Sequence, residues 1–233
     1  MTKINTILFD IGWPIIDETE AHRAWNEHLR RRIYAIKGKS VSEAAIKKYE
    51  AKAVECYAPS LFSYVIWQLV KPNEDAFYLL RSEFDNFRPF EHYRIQPGII
   101  DVLSKLHGKF KLGFAANQPK VVQDYLNEMG ILKFFDSREV SDDIGYSKPD
   151  MRMFLKILEN LDSKPEETAM IGDRQDNDIV PAKMIGMTAI RINVGPHRDQ
   201  KIRVPREKPD YIINRMVDLL EIPFIAERLI DKS

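Results

Sequence analysis

The spacing of apolar positions divides this chain into three stretches. Thr6 to Phe9 form a short apolar run that ends at Asp10 and is followed by Gly12 and Pro14. Such a run reads as a buried parallel strand that stops abruptly at a loop and leaves a carboxylate at its C-terminal end. From about Asp17 to about Arg94, long charged stretches carry apolar residues at three- and four-residue spacing, the period of amphipathic helices. Helices are predicted near Glu20–Ile36, Ser42–Cys56, Leu61–Val70 and Asn73–Phe87, with Ser42 and Asn73 as N-caps. After Pro97-Gly98 the pattern alternates. Helices are predicted over Ile99–Leu106, Pro119–Met129, Asp150–Glu159, Asp176–Ile185 and Arg215–Leu220, and strands over Lys111–Ala115, Ser137–Val140, Thr168–Ile171, Thr188–Ile192 and Tyr211–Ile213. Strands alternating with helices imply a doubly wound α/β core with a parallel sheet covered on both faces. The expected division is a core over residues 1–17 and 95–233, interrupted by an all-helical insert over 18–94.

Composition narrows this picture little. The 233 residues suffice for one sizeable core plus a smaller domain. Lysine plus arginine equal aspartate plus glutamate at 35 each, so the global charge calls for neither nucleic acid nor an anionic membrane. The single cysteine, Cys56, reads as a small buried apolar residue and suits a reducing compartment. The N-terminus lacks a signal-peptide pattern, and no apolar run approaches the roughly 20 residues that span a bilayer. The expected compartment is the cytoplasm. Gly195 to Pro209, rich in Arg, Lys and Pro, reads as a solvated connecting loop.

Open parallel sheets bind ligands outside the carboxyl ends of their strands. Four strand ends carry chemistry. At the first, Asp10 is placed to attack phosphorus or carbon and to bind a hard cation, although the same residue type also caps turns. At the second, Gly113-Phe-Ala-Ala-Asn117-Gln-Pro119, Asn117 falls where a helix is expected to begin, as a phosphate contact or as a plain N-cap. In the third, Gly145-Tyr-Ser-Lys148-Pro149-Asp150, proline holds the residue before it extended and fixes Lys148 as a point charge at a loop-helix junction. The fourth, Gly172-Asp173-Arg-Gln-Asp176-Asn177-Asp178, gathers the oxygen ligands that Mg²⁺ prefers. Asp176 is expected to cap the next helix.

Taken in order, these elements resemble the haloacid dehalogenase superfamily, over residues 1–17 and about 95–220. The resemblance implies a Rossmann-like core with an inserted helical cap and a small phosphorylated metabolite as substrate. It also implies a nucleophilic Asp10 that forms a phospho-aspartyl intermediate. Mg²⁺ would be held by Asp10, the backbone carbonyl of Gly12 and Asp173, supported by Asp178, while Asn117 and Lys148 bind the phosphoryl group.

Two residues depart from the family pattern. Gly12 stands where its phosphatases usually carry an acid that protonates the leaving group, and Ala116 where they carry serine or threonine. A positioned acid typically contributes 10²–10⁴-fold, so its loss predicts slow turnover or a good leaving group. His22 and His28 on the first predicted helix, otherwise solvent-facing, are candidates for a substitute acid, and Trp13 either walls the pocket or simply packs. The alternatives are a 2-haloacid dehalogenase, in which Asp10 attacks carbon, and a binding protein that keeps the acidic pocket without the chemistry.

Overall fold

The computed structural model describes residues 3–87 and 90–230. Its chain forms two compact units, Met1–Asp17 with Arg94–Ser233, and Glu18–Tyr93.

In the first unit, β1 (Thr6–Phe9) leads to a two-residue strand β2 (Ile16–Asp17), which pairs antiparallel with β3 (Arg94–Ile95). β4 (Lys111–Phe114), β5 (Thr168–Gly172), β6 (Thr188–Ile192) and β7 (Tyr211–Ile213) join β1 in a five-stranded parallel sheet of order β4-β1-β5-β6-β7. Both faces of β1 and β5 are buried, which is why their sequences are continuously apolar rather than alternating.

The register decides where the chemistry falls. Phe9 stands beside Phe114 on one side and Ile171 on the other. Residues just past β1, β4 and β5 therefore emerge side by side at one edge of the sheet. The ladder continues one step further, because Asp10 N donates to Ile171 O at 2.8 Å and Ala115 N donates to Phe9 O at 2.8 Å.

Below that edge, Leu8, Ala115 and Met170 pack with Met153, Phe154, Ile157 and Leu158 in a buried cluster. The four last-named residues belong to a helix of Met151–Asn160, whose N-cap Asp150 accepts from Arg152 N at 2.9 Å. Phe9 and Phe114 instead make aromatic contacts with Phe135, at 5.8 and 4.2 Å between ring centres.

The predicted strand Ser137–Val140 is not a strand: Ser137 makes one isolated bridge to Gly113. Its backbone is diverted by neighbouring side chains. Asp136 accepts from Leu112 N, and Glu139 accepts from Ser137 Oγ and Arg138 N, so local bonds compete with the ladder. The predicted helix over Asp176–Ile185 divides into a wide turn, Gln175–Ile179, and a short helix, Val180–Met184. Arg215–Leu220 forms a 3₁₀ segment over Met216–Glu221.

The second unit holds four helices: α1 (Thr19–Lys37), α2 (Glu43–Glu55), α3 (Leu61–Val70) and α4 (Glu74–Asp85). Each has a local reason to start or stop. Gly38 ends α1 in the left-handed conformation and donates to Tyr34 O, while Ser42, Ser60 and Asn73 accept from backbone N–H groups to start the other three. Trp25, Leu29, Ile33, Ile46, Ile66 and Leu80 are buried between the helices, each contributing about 1.5–3 kcal/mol. Cys56, read from sequence as buried, is exposed, because it falls at the C-cap of α2 where that helix leaves the core. Among the described residues no helix is long and apolar enough to cross a membrane.

Candidate active site

Asp10, Lys148, Asp173 and Asp178 meet at the edge of the sheet. Lys148 Nζ lies 2.9 Å from Asp10 Oδ1 and 2.5 Å from Asp178 Oδ1. Carboxylate oxygens of Asp10, Asp173 and Asp178 all lie within 4.8 Å of one another. The lysine is almost wholly buried and Asp178 completely so, whereas the Asp10 side chain keeps 14% of its surface exposed.

Two of the carboxylates are held by backbone N–H groups nearby in the chain. Asp10 Oδ1 accepts from Ile11 N at 2.8 Å, while Asp178 Oδ2 accepts from Arg174 N at 3.0 Å. Gly172 carries no side chain for a plain steric reason, since a Cβ there would overlap the Asp178 carboxylate. The wide turn after β5 thus folds Asp178 back against its own strand.

Asn117 does something the sequence did not suggest. The helix after β4 begins at Val122, five residues later than Asn117, with no side-chain cap. The Asn117 amide instead grips Lys148, with Nδ2 donating to Lys148 O at 2.8 Å and Oδ1 accepting from Lys148 N at 2.7 Å. That pairing satisfies both backbone groups of a buried lysine and fixes where its ammonium projects. Gly12 lies in the loop after β1 and bridges Ile16, and Ala116 is buried. Neither brings a polar side chain.

Burial pushes the carboxyls of Asp10, Asp173 and Asp178 above the usual carboxylate range, that of Asp178 to about 6, against the lowering pull of Lys148 on Asp10 and Asp178 and of the neighbouring His197 on Asp173. Burial also presses the Lys148 ammonium down, but Asp10 and Asp178 outweigh it and hold it above its ordinary value. Three carboxylates, two of them buried, gathered around one lysine leave excess negative charge, which favours a cation. The donor set is all oxygen, as a hard divalent ion requires, and Asp173 Oδ2 is buried with no hydrogen-bond partner among the described residues. The residues fit such an ion.

The sequence pattern assigns Asp176 to a helix cap, which is corrected, and Gly195–Pro209 to a solvated loop, which is mostly exposed but turns a few side chains inward. Asp176 accepts from Arg174 at 2.6 Å and Gln200 at 3.0 Å, and these partners hold its carboxyl below the usual range despite burial. In the loop, His197, Gln200 and Glu207 are buried, and His197 Nδ1 stands 3.6 Å from Asp173 Oδ2. The same rule that finds Asp10 and Asp173, inspection of the residues just beyond each strand, reaches His197 past the end of β6. The basic composition of the loop hides it. Trp13, in left-handed geometry at φ +64°, lays its ring against Gly195 in that loop, where a Cβ would collide with it.

His22 and His28 are expected from sequence to face solvent on a polar helix face. Each is instead half-buried and paired within the helical unit, His22 with Glu50 at 2.7 Å and His28 with Glu83 at 2.8 Å. They lie on α1 at positions flanking the buried Trp25, so their rings also pack, His22 against Phe62 and His28 against Trp25.

A doubly wound parallel sheet with an aspartate after its first strand and a lysine-bridged acidic loop after β5 defines a class. The chain belongs to the haloacid dehalogenase-like hydrolase family, whose profile matches residues 7–192. It is 28% identical to glyceraldehyde 3-phosphate phosphatase of Methanopyrus kandleri, across 94% of this chain and 97% of that protein. It is 27% identical to pyrophosphatase PpaX of Bacillus mycoides, again over 94% and 97%. The fold is shared with the putative HAD-hydrolase YfnB from Bacillus subtilis, solved bound to magnesium, with a TM-score of 0.69 at 24% identity over 94% and 98% of the two chains.

Proposed function

We propose that this chain is a Mg²⁺-dependent phosphatase that hydrolyses a small phosphorylated metabolite through a phospho-aspartyl intermediate on Asp10. The convergence of Asp10, Lys148, Asp173 and Asp178 carries this reading. Relatives that span nearly the whole chain are named for phosphatase activity on a triose phosphate and on pyrophosphate, which supports it.

Asp10 is the nucleophile because it is the acid of the cluster that keeps surface open to solvent. One of its oxygens forms a bond to phosphorus as the bond to the leaving-group oxygen breaks. Water then attacks the acyl phosphate, releasing inorganic phosphate and restoring the carboxylate. Lys148, fully charged, neutralises the phosphoryl oxygens and favours the ionised form of Asp10 against the pull of burial. Asn117 acts through Lys148, whose backbone it grips. Asp10, Asp173, Asp178 and the Gly12 carbonyl would hold Mg²⁺, which supplies positive charge to the transferring group.

The leaving oxygen needs a proton, and Gly12 provides none. The substrate's leaving group is therefore itself a weak base, or it takes the proton from solvent. A panel of glyceraldehyde 3-phosphate, phosphoglycolate, pyrophosphate, acyl phosphates, anomeric sugar phosphates and 2-haloacids, assayed with Mg²⁺ and with chelator, tests the reading. Phosphate release that stops with chelator is expected. Halide release indifferent to chelator would replace the phosphatase with a dehalogenase, and silence across the panel would favour a binding role.

A further inference from the structure

The carboxylate cluster at the sheet edge has one loose end. Asp173 Oδ2 and His197 Nδ1 are both buried, both lack a hydrogen-bond partner among the described residues, and face each other at 3.6 Å. An unsatisfied buried polar atom costs on the order of 1–3 kcal/mol. Here two stand side by side, one an acceptor and the other a ring nitrogen able to donate. A movement of about half an ångström brings them to the usual hydrogen-bond length of ~2.7–3.2 Å.

The loop that carries His197 is built to hold it there. Arg191, buried near the end of β6, donates to the carbonyls of His197 at 2.9 Å, Arg198 at 3.1 Å and Gln200 at 2.7 Å. Gln200 in turn accepts from Gln175 N at 2.7 Å and donates to Asp176 Oδ1 at 3.0 Å, tying the loop to the acidic turn after β5. Gln175 Nε2 completes the connection by donating to Glu207 O. On its other side, Gly195 at φ +62° accepts the Trp13 ring against its backbone. A loop tethered to both neighbouring segments is more than a connection, and His197 is the side chain it delivers to the cluster.

We propose that His197 is a positioning residue for the cation site: its Nδ1–H donates to Asp173 Oδ2 and so leaves the other oxygen of that carboxylate for the divalent ion. The inference rests on the cation-dependent reading of the site. A carboxylate with two unbound oxygens rotates between one-oxygen and two-oxygen coordination, and a donor fixed on one of them selects a single arrangement before the ion arrives. His197 itself touches neither nucleophile nor substrate in this role.

Direct cation binding tests this without reference to turnover. Mn²⁺, a spectroscopic stand-in for Mg²⁺, is titrated into purified protein and counted by electron paramagnetic resonance, in native chain, His197→Leu, His197→Asn and Asp173→Asn. Removing the donor in His197→Leu is expected to weaken binding roughly 10–100-fold, while His197→Asn, whose amide reaches the same position, stays within about 3-fold of native. Melting curves give a second readout. Without metal, His197→Leu melts somewhat lower than the native chain, because Asp173 Oδ2 loses its donor, and its gain in melting temperature on adding Mg²⁺ shrinks. Steady-state assays should show a raised Mg²⁺ requirement with kcat preserved at saturating Mg²⁺. Native-like Mn²⁺ binding in His197→Leu, equal loss in His197→Asn, or a lowered metal-free melt with an undiminished Mg²⁺ gain would each overturn the assignment. If Asp173→Asn also binds Mn²⁺ like the native chain, the cation reading itself falls. If only Asp173→Asn loses binding, the cation site stands and His197 has no part in it.

Discussion

In the helical unit, the carboxylates of α2 and α4 that pair with α1 have cationic or neutral donors: Glu50 takes hydrogen bonds from His22 and Asn26, and Glu83 from His28 and Arg32. At the sheet edge, Asp10, Asp173 and Asp178 crowd around one lysine, which pairs with Asp10 and Asp178, and burial drives all three carboxyls upward. Burial presses on Glu50 and Glu83 as well, yet their partners outweigh it and both end below the ordinary range. The difference separates two uses of charge. Paired charge around a packed core fastens helices to one another, whereas concentrated like charge under burial stores an electrostatic cost that a bound cation relieves. Only the second arrangement is poised for chemistry.

The sharpest way to break the comparison is Asp10→Asn, which keeps shape and removes the proposed nucleophile. Turnover should fall on the order of 10⁴-fold in single-turnover phosphate-release assays while the circular dichroism spectrum stays native. Retained activity would end the nucleophile assignment. Next, Gly172→Ala forces a methyl into the space of the Asp178 carboxylate, and thermal or urea unfolding should register a loss of about 1–3 kcal/mol together with weaker cation binding.

A pH series addresses the stored cost itself. Asp178 titrates near 6 in the fold and near the ordinary carboxyl value of 3.8 when unfolded. Between those values the folded chain holds the extra proton, so stability falls as pH rises through this window and levels off above about 6. Metal-free protein should therefore melt several degrees lower at about pH 7 than at about pH 5, and saturating Mg²⁺ should flatten the difference. A metal-free melt independent of pH over that range would show that the cluster stores no such cost.

The smallest effect belongs to the paired region. His22→Ala should cost about 1 kcal/mol of stability and leave turnover and its pH profile unchanged, because the ring serves Glu50 and Phe62. A displaced alkaline limb in the pH profile would instead restore His22 as a proton donor.

Much of the fold is legible in the sequence. The apolar runs at Thr6–Phe9 and Thr168–Ile171 are long enough and pure enough to announce buried parallel strands, and Ser42 and Asn73 mark helix starts through the oxygen they offer to the next turn. Elements governed by distant or competing partners are less legible. Ser137–Val140 has strand-like residues, but Glu139 turns back on its own backbone. Asn117 reads as a helix start because helix-starting residues come after it, while its real partner is Lys148, 31 positions away.

The sequence by itself offered the carboxylates at its strand ends and the lysine at a loop-helix junction, and the resemblance to a known family marked the acid missing at Gly12. Residue type and local position carry the first of these without knowledge of what lies opposite. Tertiary structure alone decided that Asp178 lies over Gly172, that Asn117 locks the Lys148 backbone, and that His197 stands against Asp173. The first depends on the path of one turn and the other two on segments adjacent in space and separated along the chain, and local spacing carries no record of either.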